Sequence, residues 1–174
     1  MKINKVYILG TVASGKTTLA KELSKKLKIK HYDLDNIYWL KFGKKRDEKE
    51  RDKLFRKLCN KDKWILEGAY YSWIDYGIKK ADLVILLKLP RAVLLWRVTK
   101  RVLKKEKSKL MGEDRYKENF ADYYKYLRAI IHYYDKKYTK GYYKHKELID
   151  KYKVDFISLK NNKQIKKFMK DISK

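Results

Sequence analysis

One cysteine, one proline and three histidines in 174 residues exclude several protein classes before any motif is read. Cys59 alone cannot close an intrachain disulfide or form a Cys-x-x-Cys redox pair. Beside Phe55 and Leu58 at helical spacing, it reads as a small buried apolar group. His31, His132 and His145 stand in no metal-ligand spacing and read as packed or surface side chains. With Pro90 the only proline and seven glycines, no linker-like stretch divides the chain, so a single domain over 1–174 is expected. Long apolar runs are missing too. The longest, Leu83 to Leu87, is far short of the ~20 residues that cross a bilayer, so no membrane span is expected. The apolar stretch near the N-terminus is short and runs straight into a glycine loop, unlike a secretory leader, and a cytoplasmic location is the expectation.

Acidic residues are scarce as well: 21 against 47 basic ones, a formal net charge of +26. Such a surface attracts nucleic acids, anionic membranes and phosphorylated metabolites alike. Weak, salt-sensitive nucleic-acid binding is therefore expected whatever the function. Only eight of the basic residues are arginine, and lysine is spread along the whole chain. A selected nucleic-acid face is more often clustered and arginine-bearing, and no helix-turn-helix or zinc-finger pattern occurs. The 44% hydrophobic content is enough for a folded core.

What is present is organised around Gly10-Thr11-Val12-Ala13-Ser14-Gly15-Lys16-Thr17, a GxxxxGKT phosphate-binding loop. An apolar, β-branched run (Ile3 to Leu9) precedes it, as a buried strand would. Leu19, Leu23 and Leu27 follow at helical spacing. In that context Gly10, Ala13, Ser14, Gly15 and Thr18 form a backbone cradle for phosphates. Lys16 supplies a mobile charge to the β- and γ-phosphates, and the Thr17 hydroxyl is placed to ligate Mg²⁺. The expected ligand is a nucleoside triphosphate with Mg²⁺.

The remaining pattern alternates strands with helices. Strands are predicted at 29–34, 64–68, 81–89 and 154–159, and helices at 44–62, 69–80, 91–103, 116–138, 142–152 and 164–172. Residues 104–115 show no periodicity and are predicted to be a mobile loop, part of a lid over about 100–118. Alternation of this kind implies an α/β three-layer fold with a parallel sheet.

Ligands in such sheets sit at the carboxyl ends of the strands. Asp33 and Asp35 end the second strand, and their spacing lets both carboxylates face the crevice, one toward a metal and the other toward a phosphoryl acceptor. A solvated Asp/Asn turn would read the same way. Glu67 is a candidate ligand for Mg²⁺-bound water, and Gly68 beside it is expected to keep acceptor space open. Arg97 and Arg101 lie one helical turn apart and lead into the lid, where arginines would neutralise transition-state charge; Arg115 beyond the loop could join them. Arg91 and Trp39 are further candidates for substrate contact. The pattern argues against a GTPase switch: no NKxD element occurs, since Asn60-Lys61-Asp62-Lys63 lacks the final acid, and no DxxG occurs.

The segments GTVASGKTTLAKELSKKL, HYDLDNIYW, WILEGAY and LVILLKLPRAVLLWRVTKR together resemble the DNA topology modulation protein family, a branch of the adenylate kinase- and shikimate kinase-like P-loop kinases. The likeness covers about residues 3–135. It implies five parallel strands in the order 2-3-1-4-5, ATP and Mg²⁺ as cofactors, an arginine-bearing lid, and an acidic pair with Asp33 on the metal side and Asp35 on the acceptor side. It departs at Lys88, where related kinases often carry an acid, and in the lysine-rich 104–115 segment. The expected activity is phosphoryl transfer to a nucleoside, nucleotide or other small hydroxyl or phosphate acceptor. The alternative is a nucleic-acid-associated P-loop ATPase that modulates DNA topology.

Overall fold

Strand β1 (Lys5–Gly10) is central because nearly every residue in it is buried on both faces. The computed structural model describes residues 3–40, 44–110, 120–138 and 140–172. In chain order the elements after β1 are α1 (Lys16–Leu27), β2 (His31–Asp33), α2 (Asp35–Tyr38), α3 (Glu48–Cys59), β3 (Trp64–Gly68), α4 (Asp75–Lys80), β4 (Leu83–Leu87), α5 (Arg91–Leu110), α6 (Phe120–His132), α7 (Tyr142–Tyr152), β5 (Phe156–Leu159) and α8 (Asn162–Asp171). All strand pairs are parallel, as the alternation predicts, and the order is β2-β3-β1-β4-β5, as the family resemblance implies.

The alternation of side chains along β1 divides the core into two layers. Tyr7 and Leu9 point to one face, with Phe55 of α3, Ile78 of α4 and Leu148 and Ile149 of α7. Val6 and Ile8 point to the other, with Leu19, Ala20 and Leu23 of α1 and, partly buried, Ile165 and Phe168 of α8. A third cluster, Leu89, Leu94, Val98 and Ile130, joins α5 to α6. Cys59 is fully buried in the first layer, and burial pushes its thiol up to about 12, as expected of an inert apolar filler.

Three element assignments change. Helix α5 does not stop near Leu103 but runs to Leu110, so residues 104–110 are helix and not loop. Lysine, glutamate and leucine carry high helix propensity, which continues a helix where there is no apolar stripe to announce it. The rest of the expected lid, residues 111–118 with Arg115, lies outside the described residues. Helix α6 ends at His132, well before Tyr138. Asp135 stops it: its Oδ1 accepts from the Lys137 amide at 2.9 Å while its own amide bonds to the His132 carbonyl. Finally, a single helical turn, α2, follows β2. The Asp33 side chain accepts the Asp35 amide at 2.9 Å and bends the chain into it.

Candidate active site

The strand register brings one level of the sheet to the cleft: Ile8 pairs with Glu67, Glu67 with Asp33, and Gly10 with Leu87. Gly10 is required there by crowding, since a Cβ would lie 2.7 Å from Ser14 Oγ and 3.1 Å from Leu87 Cβ. Gly15 precedes α1 with φ of 93°, a conformation that side chains disfavour. Ala13 adopts φ of 58° without being glycine. Arg97 stands over it: Nη1 donates to the Ala13 and Ser14 carbonyls, each at 3.3 Å, and Nη2 donates to Asn162 Oδ1 at 3.0 Å.

The loop fits an anion. Ser14 Oγ is buried with no hydrogen-bond partner. An unpaired buried hydroxyl costs about 1–3 kcal/mol, which a phosphate oxygen in the cradle would relieve. Lys16 Nζ rests on the Thr11 carbonyl at 3.0 Å. Burial lowers the pKa of this ammonium, opposed by Glu67, Asp35 and Asp33.

Thr17 Oγ1 donates to Glu67 Oε1 at 2.6 Å. Nε2 of His31 lies 3.8 Å from the same oxygen, beyond hydrogen-bond reach. Burial would raise the Glu67 carboxyl, but His31, Thr17 and Lys16 outweigh it and hold the group below its ordinary value. Burial and the Glu67 charge push Asp33 up to about 6. Asp35 is exposed, and its Oδ1 accepts the Tyr70 hydroxyl at 2.7 Å. Burial and that hydrogen bond raise the Tyr70 phenol. Among the described residues no group of three or more His, Cys, Asp or Glu forms a metal cage.

A cleft of about 870 Å³ collects Ala13, Ser14, Gly15, Lys16, Thr17, Thr18, Asp33, Asp35, Glu67, Gly68, Arg97 and Arg101. Of the expected acceptor contacts, Trp39 lies outside this cleft, 40% exposed, its ring edge against Tyr38 and its backbone bridged to Lys45. Arg91 is also outside it, exposed over the Tyr134 ring at 5.4 Å. Gly68 lines the cleft, and a Cβ on it would meet Leu34 and Tyr70 at 3.1–3.2 Å, so its small size also serves packing within the protein.

Sequence reasoning missed Tyr126 of α6 and Asn162, Ile165 and Lys166 of α8, all of which line the same cleft. The signal for α8 was there: Asn161-Asn162 follow the carboxyl end of β5, where ligands gather. His145, read from the sequence as a packed or surface side chain, is fully buried on α7. His145 Nε2 lies 3.2 Å from the Tyr70 carbonyl, and Nδ1 lies 3.1 Å from the Tyr133 hydroxyl. A carbonyl only accepts, so Nε2 carries the proton and Nδ1 accepts from Tyr133. Burial lowers this imidazole to about 3, and it stays neutral.

Comparison with known proteins agrees with this geometry. Residues 6–121 match the AAA domain family AAA_18. Over 122 residues the chain is 40% identical to the uncharacterized protein YqaC of Bacillus subtilis (strain 168), covering 68% of each. Similar solved structures include a shikimate kinase from Acinetobacter baumannii in complex with shikimate (17% identity, TM-score 0.56, 98% of this chain and 91% of that one). A shikimate kinase from Bacteroides thetaiotaomicron (14%, 0.58, 98% and 97%) and a sugar kinase from Janibacter sp. HTCC2649 (13%, 0.51, 98% and 95%) are also similar. At these identities the likeness is one of fold: a three-layer P-loop kinase-like sheet. No helix among the described residues is long and apolar enough to cross a membrane.

Proposed function

Because the chain belongs to the AAA domain family AAA_18, we propose that it is an ATP- and Mg²⁺-dependent phosphotransferase. It acts as one domain in the cytoplasm on a small hydroxyl or phosphate acceptor, with a nucleoside or nucleotide favoured. The observation that carries this reading is the 2.6 Å hydrogen bond from Thr17 to Glu67, with Lys16, Asp33 and Asp35 lining the same cleft. A phosphate cradle next to three carboxylates suits transfer between two bound molecules better than simple nucleotide storage.

Each residue then has a task. Backbone amides from Ala13 to Thr18 and the Lys16 ammonium hold the polyphosphate, and Ser14 Oγ gains the partner it lacks. Thr17, Asp33 and Glu67 would hold Mg²⁺ directly or through water, and the ion would supply charge neutralisation on the transferring phosphate. Asp35 accepts the proton of the acceptor hydroxyl as its oxygen bonds to the γ-phosphorus. The bond from that phosphorus to the bridging oxygen breaks, and ADP leaves. Arg101, with Arg97 fixed behind the loop, faces the charge that develops. Trp39 and Arg91 take no part.

The +26 charge favours a second reading, a P-loop ATPase acting on DNA topology, in line with the family resemblance of the sequence. One experiment separates the two: ADP release from Mg²⁺–ATP at about 150 mM salt, with duplex DNA or with a panel of nucleosides, nucleotides, shikimate and sugars. Acceleration by a small acceptor supports the phosphotransferase. Acceleration by DNA and by no small molecule replaces it with the ATPase.

A further inference from the structure

We infer that the acceptor carries no negative charge of its own; this rests on the phosphotransferase reading above and narrows it. The strand order polarises the cleft. Asp33 and Glu67 stand at the ends of β2 and β3, on one side of the phosphate loop, with Asp35 just beyond β2. The cations that line the cleft besides Lys16 come from the other side: Arg97 and Arg101 on α5, and Lys166 on α8. Polyphosphate therefore belongs over the loop and the basic half, and the acceptor over the acidic half.

The arginines nearest in sequence to the acidic half are committed elsewhere. Arg46 donates from Nε to the Ile37 carbonyl at 2.8 Å and pairs with Glu50. Arg51 lies 4.9 Å from the Trp73 ring centroid and 2.8 Å from Asp52. Arg56 covers the Tyr76 ring at 4.8 Å. A carboxylate or phosphate on the acceptor would meet like charge there, with none of these three guanidinium groups turned toward it, and like-charge juxtaposition is how sites reject a partner. A divalent ion on the Asp33 and Glu67 side would offset those two groups and leave Asp35 as the charge the acceptor meets. Tyr70 holds Asp35 Oδ1, and the incoming hydroxyl donates to the other oxygen of the same carboxylate.

The test uses pairs of acceptors that differ in one anionic group: adenosine and AMP, cytidine and CMP, methyl shikimate and shikimate. For each, kcat/KM for ADP release from Mg²⁺–ATP is measured on the full chain. Calorimetry of the same pairs in the presence of Mg²⁺ and a non-hydrolysable ATP analogue gives binding without turnover. The expected result is that the uncharged member of any accepted pair wins by at least tenfold in both readouts. If the anionic member is equal or better, this inference is overturned while the phosphotransferase reading stands. If no member of any pair accelerates ADP release, that reading falls and this inference falls with it.

Discussion

The Thr17 hydroxyl and the Glu67 carboxylate stand 2.6 Å apart, tying the first turn of α1 to the end of β3. The contact links the phosphate loop to the strand next to it and leaves Glu67 ionised in a nearly dry position. Glu67→Gln preserves an oxygen that can accept from Thr17 but removes the charge. Nucleotide affinity with Mg²⁺ should then fall at least tenfold while the thermal midpoint holds or rises. A fall in affinity of the same size without Mg²⁺ would place Glu67 outside the metal's surroundings.

Lys16→Ala should abolish ATP turnover with the fold intact. Its ammonium donates to the Thr11 carbonyl at 3.0 Å, a contact within the loop that links no two elements of the fold. A charged hydrogen bond to phosphate contributes about 1.5–3 kcal/mol to binding, and more where charge builds up in transfer. ADP release at the unmodified rate would falsify the cradle assignment.

Asp33 and Asp35 should separate cleanly. Asp33→Asn is expected to weaken the Mg²⁺-dependent part of nucleotide binding. Asp35→Asn should spare nucleotide binding and slow transfer, because Asp35 faces Tyr70 and the acceptor side. Calorimetry with and without Mg²⁺ reads the first effect and single-turnover transfer the second. Equal losses of nucleotide affinity in both variants would reject the division of labour.

The buried His145 makes stability depend on pH. Its folded value, about 3, lies below the ordinary 6.5. Above 6.5 the imidazole is neutral in folded and unfolded chains alike, and its contribution is fully present. As pH falls below 6.5 the unfolded chain binds a proton that the folded chain refuses, so the contribution is lost progressively toward pH 3. Relative to His145→Gln, the protein should lose about 2 kcal/mol between pH 6.5 and 5. Urea unfolding of both proteins across that range measures it, and parallel curves would mean that His145 charges without cost.

Duplex DNA binding should be strong at low salt and uninformative about function. Each neutralised phosphate contributes about −0.9 to the slope of log K against log salt. A complex with roughly six to ten contacts therefore loses about three to five decades between 50 and 200 mM salt. For the phosphotransferase, that slope should not change when ATP and Mg²⁺ are added. A DNA-dependent ATPase would instead bind at about 150 mM salt and shift its affinity with nucleotide.

The alternation of strands and helices, the phosphate loop and the acidic pair were legible because each is local: apolar runs, glycine spacing and strand ends fix them within a few residues, whereas the sheet order came only with the family resemblance. Helix α5 beyond Leu103 was not, because periodicity detects a helix only through the face it buries. The single turn of α2 hides in an Asp-x-Asp that also reads as strand end, and the Asp33 side chain decides the matter by taking the Asp35 amide. Trp39 and Arg91 stand outside the cleft, which the sequence could not tell because nearness to a strand end does not fix side-chain direction. Asn162, Lys166 and His145 reach the site or its supports from distant elements, through contacts that no spacing encodes.

Arg97 also gives the outermost helix a hold on the phosphate loop. Helix α8 has no fully buried residue, so its local opening should need less free energy than opening of the sheet. Each such opening takes Asn162 from the guanidinium and loosens the clamp on Ala13 in its left-handed conformation. Linkage makes the effect run both ways: nucleotide seated near residue 13 should slow amide exchange throughout α8. The occupancy of the cradle is thereby written into the breathing of a helix at the far edge of the fold.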